Sequence, residues 1–104
     1  MSTHSRFSII IPTKDRPEAL FHCLESFTRL DYPDWELIVV NDGGAESFAN
    51  LPERLLEILP ITLVDQEASG PAAARNYGAS LASGDYLAFT DDDCRVEPDW
   101  LLQL

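Results

Sequence analysis

The chain has 104 residues, enough for one small domain with a real core and too few for two. Apolar residues make up 45% of it and the aromatics are spread along its length, which excludes a disordered segment. Seven Lys and Arg against eighteen Asp and Glu leave a formal charge of −11, a surface that repels a polyphosphate backbone and argues against DNA or RNA as a partner.

In chain order, Phe7–Ile11 is a nearly continuous apolar run, expected as a strand covered on both faces. Asp15-Arg16-Pro17-Glu18 predicts a helix start, with Asp15 as cap, Glu18 three residues on as in a capping box, and Pro17 in the first turn. Leu20, Leu24 and Phe27 recur at i, i+4 and i+7 and give that helix one buried face. Tyr32-Pro33-Asp34 breaks it. Leu37–Val40 is the second strand, and Asn41-Asp42-Gly43-Gly44 is a turn by composition. Phe48 to Leu59 has helical period, with Pro52 near its start and Pro60 closing it before a third strand at Ile61–Val64. Gly70-Pro71 leads into an Ala-rich helix, Ala72 to Ala82, whose small side chains suit close packing on a sheet. Gly84 stops it, and the strand Tyr86–Thr90 runs into Asp91-Asp92-Asp93. Pro98 starts a last helix, in which Trp100, Leu101, Leu102 and Leu104 either fold back or mark the cut edge of a longer protein. Truncation is the expected case, with self-association through the apolar tail.

Strand and helix alternate, so the expected architecture is α/β: one domain over 1–104 with a Rossmann-like, mostly parallel sheet and helices on both faces. The five largely apolar residues before Pro12 are too few for a signal peptide, and no run approaches the ~20 apolar residues of a membrane span. Cys23 and Cys94 give neither a disulfide framework nor a metal spacing. The expectation is a cytoplasmic protein, or one at the cytoplasmic face of a membrane in a longer parent, with two reduced thiols, Cys94 serving in packing and His4 and His22 lying at the surface.

The chemistry gathers at the strand ends. Asp15, Asp42, Asp65 and the Asp91–Asp93 triplet each follow an apolar strand, and ligands of open parallel sheets bind beyond the carboxyl ends of the strands. On an extended segment Asp91 and Asp93 point the same way and can converge on one ligand, with Asp92 turned elsewhere. Hard carboxylate oxygens suit Mg²⁺ or Mn²⁺, and a cation relieves the repulsion of three adjacent charges. The same triplet also reads as a solvated acidic turn. Asp42 can accept a hydrogen bond from a base N–H, or bond its own turn backbone. Arg75 lies about one turn into the helix opened by Gly70-Pro71, where free N–H groups attract anions; it also reads as a surface arginine. Lys14, Arg16 and Arg75 are the cations available to a phosphorylated ligand.

Four segments in order resemble the family 2 glycosyltransferases, enzymes of the GT-A fold: Phe-Ser-Ile-Ile-Ile-Pro-Thr-Lys-Asp-Arg-Pro (7–17), Leu-Ile-Val-Val-Asn-Asp-Gly-Gly (37–44), Gly-Pro-Ala-Ala-Ala-Arg-Asn-Tyr-Gly (70–78) and Gly-Asp-Tyr-Leu-Ala-Phe-Thr-Asp-Asp-Asp (84–93). The resemblance implies the N-terminal half of that fold and a nucleoside-diphosphate sugar as donor, a UDP-sugar first among the candidates. It implies that Pro12, Thr13, Asp15 and Asp42 line the base and ribose pocket, with Asp42 on the base. Arg75 would support the nucleotide, and Asp91 or Asp92 would touch the ribose. Asp93, with Asp91 as its companion, would hold Mn²⁺ or Mg²⁺ against the diphosphate. The implied reaction inverts the anomeric centre by attack of an acceptor hydroxyl of unidentified origin. Its catalytic base is expected downstream of Leu104, so this stretch alone is expected to be inactive. Two other readings stand beside it. One is a non-catalytic nucleotide-binding or interaction module. The other is a receiver-like α/β domain, which needs a lysine near a later strand end, whereas Lys14 is the sole lysine.

Overall fold

A computed structural model of the protein describes residues 5–104, so the surface position expected for His4 lies outside the described residues. Four strands, β1 (Phe7–Thr13), β2 (Trp35–Asp42), β3 (Ile61–Gln66) and β4 (Tyr86–Phe89), form one sheet in the order β3-β2-β1-β4. All three pairings are parallel. Three helices cross between them: α1 (Pro17–Phe27), α2 (Glu53–Ile58) and α3 (Pro71–Leu81). The steps from β1 to β2 to β3 run in one direction and the step from β3 to β4 runs back. Right-handed crossovers therefore put α1 and α2 on one face and α3 on the other. The strand order reverses beside β1, which is where an open α/β sheet leaves a crevice at its carboxyl edge.

Alternation along β1 and β2 supplies both cores. Ile9, Ile11, Leu37 and Val39 meet Leu20, Leu24 and Phe27 of α1 and Leu55 of α2, while Ile10, Ile38 and Val40 face Ala74 of α3. The three apolar positions read at i, i+4 and i+7 are all buried, as is Cys23 between them. On the opposite face Gly78 lets α3 lie close to the sheet. A Cβ at that position would stand 2.6 Å from Cγ2 of Ile10 and 3.2 Å from Cγ2 of Val40. Among the described residues, no helix is long and apolar enough to cross a membrane.

The amino-terminal ends of the strands are tied by a polar knot. Ser8 donates to Glu36 and accepts the Gly84 amide at 2.8 Å. Glu36 also accepts from the Ser83 amide and hydroxyl. Arg6 adds ion pairs to Asp34 and Glu36, and its amide donates to Asp85.

Three local expectations are corrected. Asp15 does not cap α1, whose N-cap is Arg16 without a side-chain cap bond. Asp15 adopts φ 50°, and its carboxylate turns away from the helix to accept the Glu46 amide at 2.7 Å. The second helix begins at Glu53 rather than near Phe48, because Pro52 disfavours helical geometry at Leu51 and Asn50 sits at φ 59°. The last segment is no regular helix but turns into a short 3₁₀ piece, Leu101–Gln103. Trp100 packs edge-on to Phe27 and Leu101 is buried in the α1-side core, whereas Leu102 and Leu104 stay exposed.

Candidate functional site

A cavity of about 370 Å³ opens at the carboxyl edge of the sheet. The exit of β1 supplies Pro12, Thr13, Lys14 and Arg16; the end of β2 supplies Asp42; the start of α3 supplies Pro71 and Arg75; and the turn after β4 supplies Asp91, Asp92 and Asp93. Parallel registry sets this level, since Thr13 pairs with Asn41 and Asp42 with Gln66.

The triplet lies in a turn rather than on an extended strand, and its three carboxylates divide between solvent and core. Asp92 is buried; its Oδ2 accepts the Thr13 hydroxyl at 2.9 Å, and its Oδ1 lies 3.3 Å from Nη2 of Arg16. The same Nη2 stands 3.1 Å from Oδ2 of Asp93, and Arg75 reaches to 3.8 Å of Asp91. Asp91 and Asp93 are exposed and bring carboxylate oxygens within 4.8 Å of each other and of Sγ of Cys94. Two hard oxygen donors that can converge fit Mg²⁺ or Mn²⁺, and the thiol adds a softer donor that Mn²⁺ tolerates better than Mg²⁺. Cys94 is thus exposed at the site, which corrects the packing role expected for it. Cys23 is the packed thiol, and burial first, with nearby Cys94, Asp92 and Asp93 adding to it, pushes it up to about 12.

Asp42 is also buried, and its hydrogen bonds are not those of a local turn. Its Oδ1 accepts from the Ser69 amide at 2.8 Å and from Nε2 of Gln66 at 2.9 Å, and its Oδ2 accepts the Gly70 amide at 3.1 Å. The Ser69 amide foremost, then Gln66, Gly70 and the charge of Lys14, outweigh burial and hold this carboxyl below its ordinary value. Asp42 thereby fastens the loop that launches α3. Its neighbour Asn41 organises the other side. Asn41 accepts from the Gly44 amide and the Ser47 hydroxyl, and donates to the Gly44 carbonyl and to Asp65. Ser47 in turn accepts the Asp15 amide, so the exit of β1 and the turn after β2 are sewn together.

One cavity therefore brings together seven residues singled out from the sequence, Pro12, Thr13, Asp42, Arg75, Asp91, Asp92 and Asp93; Asp15 is not among its lining. Lys14 and Arg16, read from the sequence only as available cations, line it too, and so does Pro71. The sequence signal for Arg16 is its place between a strand exit and a helix-starting proline, which sets its backbone at the edge of the crevice.

Comparison with known proteins matches the description of glycosyl transferase family 2 over residues 8–104. The chain is 43% identical over 89 residues to the uncharacterised glycosyltransferase YwdF of Bacillus subtilis, covering 85% of this chain and 32% of that protein. The structure superposes on S. aureus TarS in complex with UDP-GlcNAc with a TM-score of 0.85 at 25% identity, covering 94% of this chain and 29% of that one. It superposes on the mannosyltransferase PcManGT of Pyrobaculum calidifontis, in complex with GDP-Man and Mn²⁺, with a TM-score of 0.84 at 26% identity, covering 96% and 33%. The chain spans about a third or less of the length of these proteins. The parallel sheet, the crevice at its carboxyl edge and a family match over nearly every residue agree: the chain belongs to glycosyl transferase family 2.

Proposed function

We propose that residues 5–104 are the donor-binding part of an inverting, metal-dependent glycosyltransferase that moves a sugar from a nucleoside-diphosphate sugar to an acceptor hydroxyl. The observation that carries this reading is a single cavity lined by the buried acceptor Asp42, by the converging carboxylates Asp91 and Asp93, and by the cations Lys14, Arg16 and Arg75. The complexes of TarS with UDP-GlcNAc and of PcManGT with GDP-Man and Mn²⁺ support it.

In this reading Pro12 and Thr13 bound the base and ribose, and Asp42 accepts the base N–H. Oδ1 of Asp42 already has two short donors and Oδ2 one, which leaves a single acceptor position on Oδ2. One free position matches the single ring N–H of uracil better than the adjoining N–H and NH₂ of guanine, so the favoured donor is a UDP-sugar. Arg75 and the first turn of α3 compensate diphosphate charge. Asp92, held by Thr13, orients the turn, and its neighbour Asp91 reaches the ribose or the metal. Asp91 and Asp93 hold Mn²⁺ or Mg²⁺, which when bound supplies Lewis-acid neutralisation of the departing diphosphate. Asp15 acts at one remove by fixing the turn after β2. The catalytic base and the acceptor site lie outside these residues, so the segment binds donor without turning it over. Two free cysteines fit a reducing cytoplasmic setting.

Calorimetric titration with UDP, GDP, dTDP and CDP, each with Mn²⁺ and again with EDTA, tests the reading. The expected result is Mn²⁺-dependent binding of UDP that Asp93→Ala abolishes. A folded chain that binds none of the four overturns it.

A further inference from the structure

The cavity carries a cation, Arg16, only one of whose two contacts the fold accounts for. Nη2 of Arg16 is shared between Asp92 at 3.3 Å and Asp93 at 3.1 Å, while half of the arginine side chain is open to solvent. Asp92 is buried, and a buried carboxylate without a charged partner is costly. That accounts for the first contact. The second is different in kind, because Asp93 is exposed and water alone would satisfy it. Arg16 also occupies an oxygen of the residue best placed, with Asp91, to hold a divalent cation.

From this geometry, and resting on the donor-binding reading above, we infer that Arg16 is an exchangeable counter-ion: it holds Asp93 until a divalent cation takes that carboxylate, then turns to the diphosphate while Asp92 keeps it tethered. The argument is one of charge and of hydrogen-bond capacity. Four carboxylates and three cations line the cavity. A divalent ion on Asp91 and Asp93 repels a guanidinium 3.1 Å from the same carboxylate, so the two cations compete. The buried Asp92 does not face that competition and keeps its ion pair with Nη2 at 3.3 Å. A guanidinium has five donors in a fixed fork, and Arg16 lines the same cavity as Lys14 and the start of α3, within which a diphosphate would lie. Arg75 does not serve this purpose, since it touches Asp91 alone and at 3.8 Å. Arg16 is thus a positioning residue with opposite effects on two ligands. It weakens the metal in the absence of nucleotide and strengthens the nucleotide in the presence of metal.

The test measures Mn²⁺ alone, then UDP at saturating Mn²⁺, on the chain and on Arg16→Ala, Arg16→Lys and Asp93→Ala. Arg16→Ala is expected to bind Mn²⁺ roughly two- to fivefold more tightly at low salt, the size of a partly exposed ion pair, with the gap closing at high salt. It is expected to bind UDP with Mn²⁺ roughly tenfold more weakly, for loss of a charge-assisted contact. Arg16→Lys keeps one charge but loses the fork, and falls between the two for both ligands; it also guards against a misfolded alanine variant. A merely structural arginine weakens both ligands together, so equal signs overturn the inference, as does an unchanged Mn²⁺ affinity. Where the unaltered chain binds Mn²⁺ through Asp93 and Arg16→Ala binds it equally, the inference alone falls. Where neither binds Mn²⁺ alone, the inference falls, and the metal-dependent reading falls with it only if UDP binds equally with Mn²⁺ and with EDTA.

Discussion

Replacing Gly78 by alanine tests the packing that delivers Arg75 to the cavity. In an exposed helix the change is favourable by about 1 kcal/mol, because glycine is a poor helix former. Here the added Cβ would stand 2.6 Å from Cγ2 of Ile10 and 3.2 Å from both Cγ1 of Ile10 and Cγ2 of Val40. Carbon atoms rest at about 3.5–4.0 Å, so the nearest contact is short by about 1 Å. Ile10 and Val40 are both fully buried on the two central strands, where interiors are close-packed. Overpacking of this kind costs about 1–3 kcal/mol. Set against the helix gain, the net expectation is a loss of about 1 kcal/mol, or roughly 4–8 °C in Tm for a domain of this size. Urea unfolding followed by circular dichroism reads the sign directly. If Gly78→Ala stabilises the protein, α3 does not lie as close to the sheet as described and the reasoning fails. Gly78→Val carries two further methyls into the same contact and is expected to lower stability by roughly a further 1–3 kcal/mol. Because Arg75 sits one turn before Gly78, both variants are also expected to weaken Mn²⁺–UDP binding.

Four further outcomes follow from the same structure. Thr13→Val leaves buried Asp92 without its hydroxyl donor, and is expected to cost about 1–3 kcal/mol in the same unfolding assay. Asp42→Asn keeps one acceptor oxygen but puts an NH₂ where an amide now donates, so UDP affinity is expected to fall at least tenfold by calorimetry, with little change in Mn²⁺ binding. Burial by itself raises the Glu36 carboxyl, but the Ser8 and Ser83 hydrogen bonds and Arg6 together hold it below its ordinary value. A depressed folded value stabilises above the unfolded one and is lost as pH falls through it, so Glu36→Gln is expected to destabilise at neutral pH and to match the unaltered chain in acid. In the native state iodoacetamide is expected to label exposed Cys94 and spare Cys23, whose thiol is buried and pushed up to about 12, and Mn²⁺ is expected to slow the labelling of Cys94.

What was legible in the sequence is what depends on short-range pattern. The apolar runs that became β1 and β2 are covered on both faces, so burial leaves an unbroken signal in the chain itself. Leu20, Leu24 and Phe27 declared the inner face of α1 because a 3.6-residue period has one cause. The positions of Pro12, Thr13, Asp42, Arg75 and the triplet around one crevice follow from strand ends in a parallel sheet. What was not legible depends on partners far away in sequence. Asp15 has every local mark of a helix cap, yet the Glu46 amide, 31 residues on, takes its carboxylate. Asp42 looks like a residue of its own turn, and instead binds Ser69 and Gly70, 27 and 28 residues away. Arg16 pairs with Asp92 and Asp93 across the whole chain, and no periodicity announces such a pair. Part of the tail was hidden for the same reason. Trp100 and Leu101 read as uncovered because their cover, the end of α1, comes long before them.

The three strands beneath the site are gripped unequally, and the difference falls on the strand that carries the triplet. β4 has only four residues, hydrogen-bonds on one side alone, and is bolted at its foot by Ser8, Glu36 and the Ser83–Gly84 amides. Its head, where Asp91 begins, has one last backbone bond, from the Thr90 amide to Ile10 at 3.3 Å. β1 and β2, by contrast, are paired along their full lengths. Beyond the Thr90 bond the acidic turn is held by the side chains of Thr13 and Arg16 on Asp92 rather than by a strand ladder, so an adjustment of the turn to an arriving ion falls on β4 before it reaches β1 or β2. The wall that holds Pro12, Thr13 and Asp42 then keeps its shape, and the amides of Phe89 and Thr90 become the place to look for early hydrogen exchange.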